Sequence, residues 1–194
     1  MIIDYKKVMD QSIDFFENFF PDTPSDHHTK SESGEHYKLL KYISSLYDNI
    51  TILDLGTNTG ESAIALAQNK TNKVITYDIE KKWNIDLSSE SNIEFKLVDI
   101  NSEDIEVLKS AKIISLDIAH DGFQEKAFTD LLERIGYKGF LICDDIHNIY
   151  YPNMNPWWKS INVEKYDVTK VGHHWGTGIV NYYEDNSIKI IENI

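Results

Sequence analysis

"ILDLGTNTGES", residues 52–62, passes from an apolar run through two glycines, Gly56 and Gly60, into a helix-forming stretch. "ITILDLG" before it reads as a buried strand, and "GESAIALAQN" after it reads as an alanine-rich helix. Glycine at such a junction permits a tight turn and lets a ligand approach the backbone closely. A dinucleotide fingerprint would need G-x-G-x-x-G. Asn58 stands at its middle position, so that fit is poor. The spacing that does fit is acidic-x-Gly-x-x-x-Gly, from Asp54 to Gly60. Gly56, Thr57, Asn58, Gly60 and Ser62, in and just after this turn, are candidate ligand contacts.

Outward from this turn the pattern alternates. "KVITYDI", "IEFKLVDI", "KIISLDIA" and "GFLICDDI" read as strands. Between them lie helical runs, "SEDIEVLKS" with Ser102 as its cap and "FQEKAFTDLLERIG" closed by Gly136. Apolar strands alternating with helices predict an α/β fold with a mostly parallel sheet covered on both faces. "NVEKYDVTKVG" and "GTGIVNYYE" have no helix between them, which predicts an antiparallel pair at one edge.

Upstream, residues 2–20 carry Tyr5, Val8, Met9, Ile13, Phe16 and Phe20 near helical spacing, and Pro21 and Pro24 end the run. Residues 21–34 read as a polar loop or lid that includes the exposed His27 and His28, and residues 35–47 as a second helix. The expected organisation is an N-terminal helix and loop, 1–34, serving as a lid or an oligomer contact, followed by one ligand-binding domain, 35–194.

Composition narrows the function. The chain has 194 residues, 41% of them hydrophobic, which is enough for one sizeable core. No run of about 18 apolar residues indicates a membrane span, and the charged N-terminus is unlike a signal peptide. A single cysteine, Cys143, excludes an internal disulfide and fits a cytoplasmic location. The net charge of −13 argues against a nucleic-acid partner.

Acids gather where the strands end. Asp78 follows Gly56 by 22 residues, a placement suited to accepting both hydroxyls of a ribose, although a turn cap would look the same. Asp99, Asp117 and the pair Asp144–Asp145 end the next three strands. Ligands of a parallel α/β sheet bind outside those ends. Two adjacent carboxylates at the mouth of a core strand repel, and desolvation adds to the cost. A cation, a helix start or plain solvent would each relieve it. Three hard oxygen donors suit Mg²⁺, Mn²⁺ or Ca²⁺.

The Asp54-to-Gly60 turn resembles motif I of the class I S-adenosylmethionine (SAM)-dependent methyltransferases. The resemblance covers residues 35–183 in order, and the terminal antiparallel pair matches that family's reversed hairpin. It implies a Rossmann-like, seven-stranded sheet, SAM as cofactor, and Asp99 near the adenine. Asp117-Ile118-Ala119-His120, then Asp144-Asp145 27 residues after Asp117, resembles the metal-dependent O-methyltransferases. The likeness is to the macrolide-sugar branch, more distantly to catechol O-methyltransferase, which has lysine at the His120 position and asparagine at the Asp145 position. It implies that Asp117, Asp144 and Asp145 hold a divalent cation, Mg²⁺ first among the three. It also implies that His120 is the general base and that the partner is a small hydroxylated acceptor, such as a sugar or phenol.

Two competing functions are an NAD-linked oxidoreductase, disfavoured by the glycine spacing, and a non-catalytic SAM-binding accessory protein. "NPWW" (155–158) lacks the second proline of the amino-methylating nucleic-acid enzymes and reads as part of a long aromatic loop, 147–161. His173, His174 and Trp175 either line an acceptor site or form a hairpin turn.

Overall fold

The computed structural model describes residues 1–20, 34–82, 90–184 and 188–192. At its centre is a seven-stranded sheet. Its strands are β2 (Thr51–Leu55), β3 (Lys73–Asp78), β4 (Ile93–Leu97), β5 (Ile113–Leu116), β6 (Phe140–Asp144), β7 (Lys165–Asp167) and β8 (Thr177–Asn181), in the order β4-β3-β2-β5-β6-β8-β7. All neighbours pair in parallel except β6 with β8 and β8 with β7. The chain thus has the Rossmann-like architecture with the reversed edge that the sequence predicts.

Alternation along the strands divides the core in two, because successive side chains point to opposite faces. Ile52, Val74, Ile113, Phe140, Ile142 and Ile179 face one side. There they pack with α2 (Gly34–Ser45) through Leu39, Leu40 and Ile43, and with α3 (Glu61–Leu66). Leu53, Leu55, Ile75, Ile114, Leu116 and Leu141 face the other side. Over them lie α4 (Ile105–Ser110), α5 (Phe123–Ile135) and α6 (Met154–Ser160).

Three expectations need correction. Residues 2–20 are not one helix. They form β1 (Ile2–Asp4), α1 (Tyr5–Met9) and a 3₁₀ turn, Asp14–Asn18. Asp4 caps α1 by accepting from the Lys7 amide at 3.3 Å, and Ser12 accepts from the Asp14 amide at 3.1 Å, so local polar bonds interrupt the helix at both points. β1 pairs in parallel with β9 (Lys189–Ile191). Tyr5, Val8, Ile13 and Phe16 still reach the core, packed in the same cluster as Leu39, Leu40 and Ile43. Second, Asp104, not Ser102, caps α4, accepting from the Glu106 amide at 2.9 Å; Ser102 ends a separate 3₁₀ turn and donates to the Asp99 carbonyl. Third, the aromatic stretch 147–161 is not a plain loop, because α6 occupies half of it. Pro156 sits in the first turn of α6, where the missing amide costs nothing. The polar segment 21–33, with His27 and His28, lies outside the described residues. Among the described residues, no helix is long and apolar enough to cross a membrane.

Candidate active site

The turn after β2 is fixed from two sides. The Gly56 and Thr57 amides donate to the Tyr77 carbonyl at 2.9 and 3.1 Å. Gly56 has φ +97°, and a Cβ there would fall 1.7 Å from the carbonyl oxygen of Asp117. Only glycine meets both conditions. The turn therefore rests directly on the end of β5. Beneath it, Ser62 and Thr76 donate to one oxygen of the buried Asp54 at 3.0 and 2.7 Å, while its Oδ1 has no hydrogen-bond partner among the described residues. Burial drives the Asp54 carboxyl up to about 7, and the two hydroxyls offset only part of that.

A cavity of about 500 Å³ opens over this turn, bounded by Gly56, Asn58, Asp78, Asp99, Asp117 and His120. That volume is in the range of small-molecule pockets, roughly 300–1,000 Å³. Asp78 accepts the Asn58 amide at 2.8 Å on one oxygen and the Glu80 amide at 3.0 Å on the other. These bonds orient the carboxylate and leave it further lone pairs for a ligand. Asp99 lines the cavity and also caps the 3₁₀ turn at Ile100–Ser102 by accepting from the Asn101 amide at 2.9 Å. Gly60 borders neither this cavity nor its neighbour; it starts α3 in the left-handed region, with φ +100°. Ser62 and Thr57 border the neighbouring, smaller cavity.

That second cavity, of about 180 Å³, shares the wall of Gly56, Asn58, Asp117 and His120 with the first. Behind the shared wall lie Asp144 and Asp145, only 8% and 5% exposed. Burial rules out plain solvation as the answer to their repulsion. Histidines surround them instead. His120 Nε2 lies 2.5 Å from Asp117 Oδ1 and 3.7 Å from Asp145 Oδ2. His173 Nδ1 lies 2.8 Å from Asp145 Oδ1 and 3.4 Å from Asp144 Oδ2. His36, on α2, is 3.6 Å from Asp144 Oδ1. Asn148 donates to the remaining Asp145 oxygen at 2.8 Å.

Local backbone makes this convergence. His120 and Asp145 both take positive φ, 55° and 58°, which turns each chain back over its strand end. Glu125, 1% exposed, holds the His120 loop by accepting the His120 and Gly122 amides at 2.7 Å each. The sequence pattern does not single out Glu125 or His36 and leaves His173 between an acceptor site and a hairpin turn. The capping spacing from Gly122 to Glu125 is the only local signal that pointed to any of them.

The electrostatics follow from crowding. Burial, aided by the Asp144 charge, raises the Asp117 carboxyl. Burial also pushes Asp144 upward, but the charges of His36 and His173 hold it below the usual carboxylate range. Burial opposes the imidazolium of His120, yet the Asp117 hydrogen bond and charge outweigh it and raise His120 to about 9. His173 is raised to about 10, as Asp144 and Asp145 overcome its burial. A raised histidine stabilises the fold fully below its ordinary value near 6.5 and loses that contribution as pH climbs through its folded value. With metal chelated, the melting temperature should therefore fall between about pH 6.5 and 9 more steeply for the wild type than for His120→Gln. Parallel curves in a fluorimetric melt would remove His120 from this network.

A divalent cation fits this donor set. Asp144 Oδ1 is buried without a hydrogen-bond partner among the described residues. Donor atoms of Asp117, His120 and Asp144 lie within 4.8 Å of one another, as do those of Asp144, Asp145 and His173. The three aspartates singled out in the sequence thus meet at one place, joined through Asp144.

No protein-family model and no curated protein matches the sequence. Solved structures do match in fold. The SAH-bound methyltransferase PaMTH1 of Podospora anserina superposes with a TM-score of 0.55 at 13% identity, over 77% of this chain and 78% of that one. A putative caffeoyl-CoA O-methyltransferase from Staphylococcus aureus gives 0.56 at 16% identity, over 75% and 82%. Cofactor-bound Rv0187 from MTB gives 0.53 at 11% identity, over 88% and 95%. The chain shares the Rossmann-like fold of the first two, both methyltransferase structures.

Proposed function

We propose that the protein is a SAM-dependent, divalent-metal-dependent O-methyltransferase acting on a hydroxyl of a small molecule. The observation that carries this reading is the shared wall. A cavity sized for a nucleoside-bearing cofactor and an acid-histidine cluster meet at Gly56, Asn58, Asp117 and His120. The fold held in common with SAH-bound and cofactor-bound proteins supports it.

Asp78 binds and orients the ribose, and the Gly56–Asn58 backbone, hydrogen-bonded to it through the Asn58 amide, lines the same cavity. Asp117, Asp144 and Asp145 would hold the cation, which when bound polarises an acceptor hydroxyl and lowers its pKa. Asp117 is also what keeps His120 protonated in the metal-free chain. With a cation held by the aspartates, Asp117 would retain the imidazolium proton less strongly, and His120 Nε2 would be the atom that accepts a proton. The ring of Tyr151 lies 5.6 Å from that of His120, and Tyr150 packs edge-on against Trp175 at 5.2 Å. The exposed rings of Tyr150 and Tyr151 offer a flat or sugar-like acceptor a stacking surface.

Calorimetry with S-adenosylhomocysteine is the first test. The wild type should bind it and ignore NAD. Asp78→Ala should weaken binding by about 1.5–3 kcal/mol, the range for a lost charge-assisted hydrogen bond. Unchanged affinity would take Asp78 out of the site, and NAD binding in its place would end the methyltransferase reading. A screen of sugars, phenols and small hydroxy compounds with SAM and Mg²⁺ then seeks the acceptor.

A further inference from the structure

We infer that His173 is a ligand of the cation site, making it a mixed imidazole–carboxylate site that takes a first-row transition dication in preference to Mg²⁺. The inference rests on the metal-dependent reading above and deepens it.

His173 lies outside the strand ends that carry the aspartates, on the segment leading into β8, yet among the three histidines around the Asp144–Asp145 pair its ring nitrogen comes nearest. The position is built. The His173 amide donates to Thr177 Oγ1 at 2.7 Å, and Thr177 stands opposite Asp144 in the β6–β8 register. The loop is also clipped to the one bearing Asp145. The Ile146 amide donates to the Gly176 carbonyl at 3.2 Å, and the His147 amide to the Trp175 carbonyl at 2.7 Å. Gly176 has φ +102°, and a Cβ there would meet Ile146 Cγ1 at 2.7 Å and the His147 amide at 2.9 Å. The two loops therefore cannot separate without breaking backbone hydrogen bonds. An imidazole fixed in this way can serve as a ligand with little reorganisation.

A second observation points to a ligand. Asp144 Oδ1 is buried without a hydrogen-bond partner among the described residues, in a residue only 8% exposed that lines the smaller cavity and whose other oxygen lies 3.4 Å from His173 Nδ1. His36 approaches it at 3.6 Å without closing a bond. Donor atoms of Asp144, Asp145 and His173 already lie within 4.8 Å of one another.

The donor type then selects the ion. Mg²⁺ prefers oxygen and keeps its waters, whereas Mn²⁺, Fe²⁺, Co²⁺ and Zn²⁺ accept imidazole. All-carboxylate sites discriminate weakly between these classes, so a preference that depends on His173 is the signature of the inference.

The test uses the full chain, stripped of metal. Co²⁺ binding is titrated alone and against Mg²⁺, and Mn²⁺-loaded protein is examined by pulsed electron paramagnetic resonance for ¹⁴N coupling. The wild type should bind Co²⁺ in preference to Mg²⁺ and show coupling to imidazole nitrogen. His173→Ala should lower Co²⁺ affinity by at least about 10–100-fold, the cost of losing even an outer-shell partner. Mg²⁺ affinity should change much less. Wild-type Mn²⁺ protein without ¹⁴N coupling overturns the inference whatever the variant does. So does coupling that survives His173→Ala and vanishes in His120→Ala, or equal Co²⁺ loss and Mg²⁺ loss in His173→Ala. In each of those cases metal dependence itself still stands. Failure of every dication to bind overturns the metal-dependent reading together with this one.

Discussion

His120→Ala lowers turnover by about 10²–10⁴-fold, the usual worth of general base catalysis, while S-adenosylhomocysteine affinity stays within error. The split follows from position. His120 borders both cavities, but its Nε2 points to Asp117 and Asp145, not to Asp78. Its loop is held by Glu125 through backbone amides alone, so removing the imidazole leaves that support intact. Turnover at the wild-type rate, measured with the acceptor found by screening, would reduce His120 to a residue that only starts the turn before α5. A pH–rate profile adds a check. The wild type should show an ascending limb from the base, and His120→Ala should lose it.

Asp144→Asn lowers turnover by about 10³-fold at ordinary metal concentrations. Asp144 is the member common to both donor groups, so its loss disrupts the site on the Asp117 side and on the His173 side together. Lewis-acid stabilisation is worth several kcal/mol, and each 1.36 kcal/mol is tenfold, so a fall of about 10³-fold is expected. The amide keeps the shape and size of the carboxylate, so the fold is retained and a circular dichroism melt confirms it. Cofactor binding is again the control. A variant that keeps its activity in chelator would show the aspartates to be structural charge partners of the histidines.

Much of this was legible in the residues because the signals are local. The parallel sheet follows from apolar runs such as "ITILDLG" and "GFLICDDI", whose alternate residues fill two core layers. The terminal hairpin follows from two strand-like runs with no helix between them. The strand-end acids were visible because the fold itself says where strands end. What stayed hidden depends on distant pairing or on competition between caps. β1 and β9 are three residues each and far apart in sequence, so neither carries a pattern of its own. The helical spacing of residues 5–20 records burial correctly but not the breaks at Asp10–Ser12. Asp104 displaced Ser102 as the α4 cap because its side chain accepts the Glu106 amide. His36 and His173 reach the acids from α2 and from the approach to β8, and nothing in their neighbours announces it.

The contact between Gly56 and the Asp117 carbonyl has a thermodynamic corollary. The floor of the larger cavity and the mouth of the smaller one are referenced to a single backbone atom with no slack for even a methyl group. A ligand that shifts the end of β5 must shift the glycine turn with it. Occupancy that moved one side would then change affinity on the other, and linkage requires the factor to be the same in both directions. Cooperativity between cofactor and acceptor would in this way be built into one van der Waals contact, with no hinge and no moving domain.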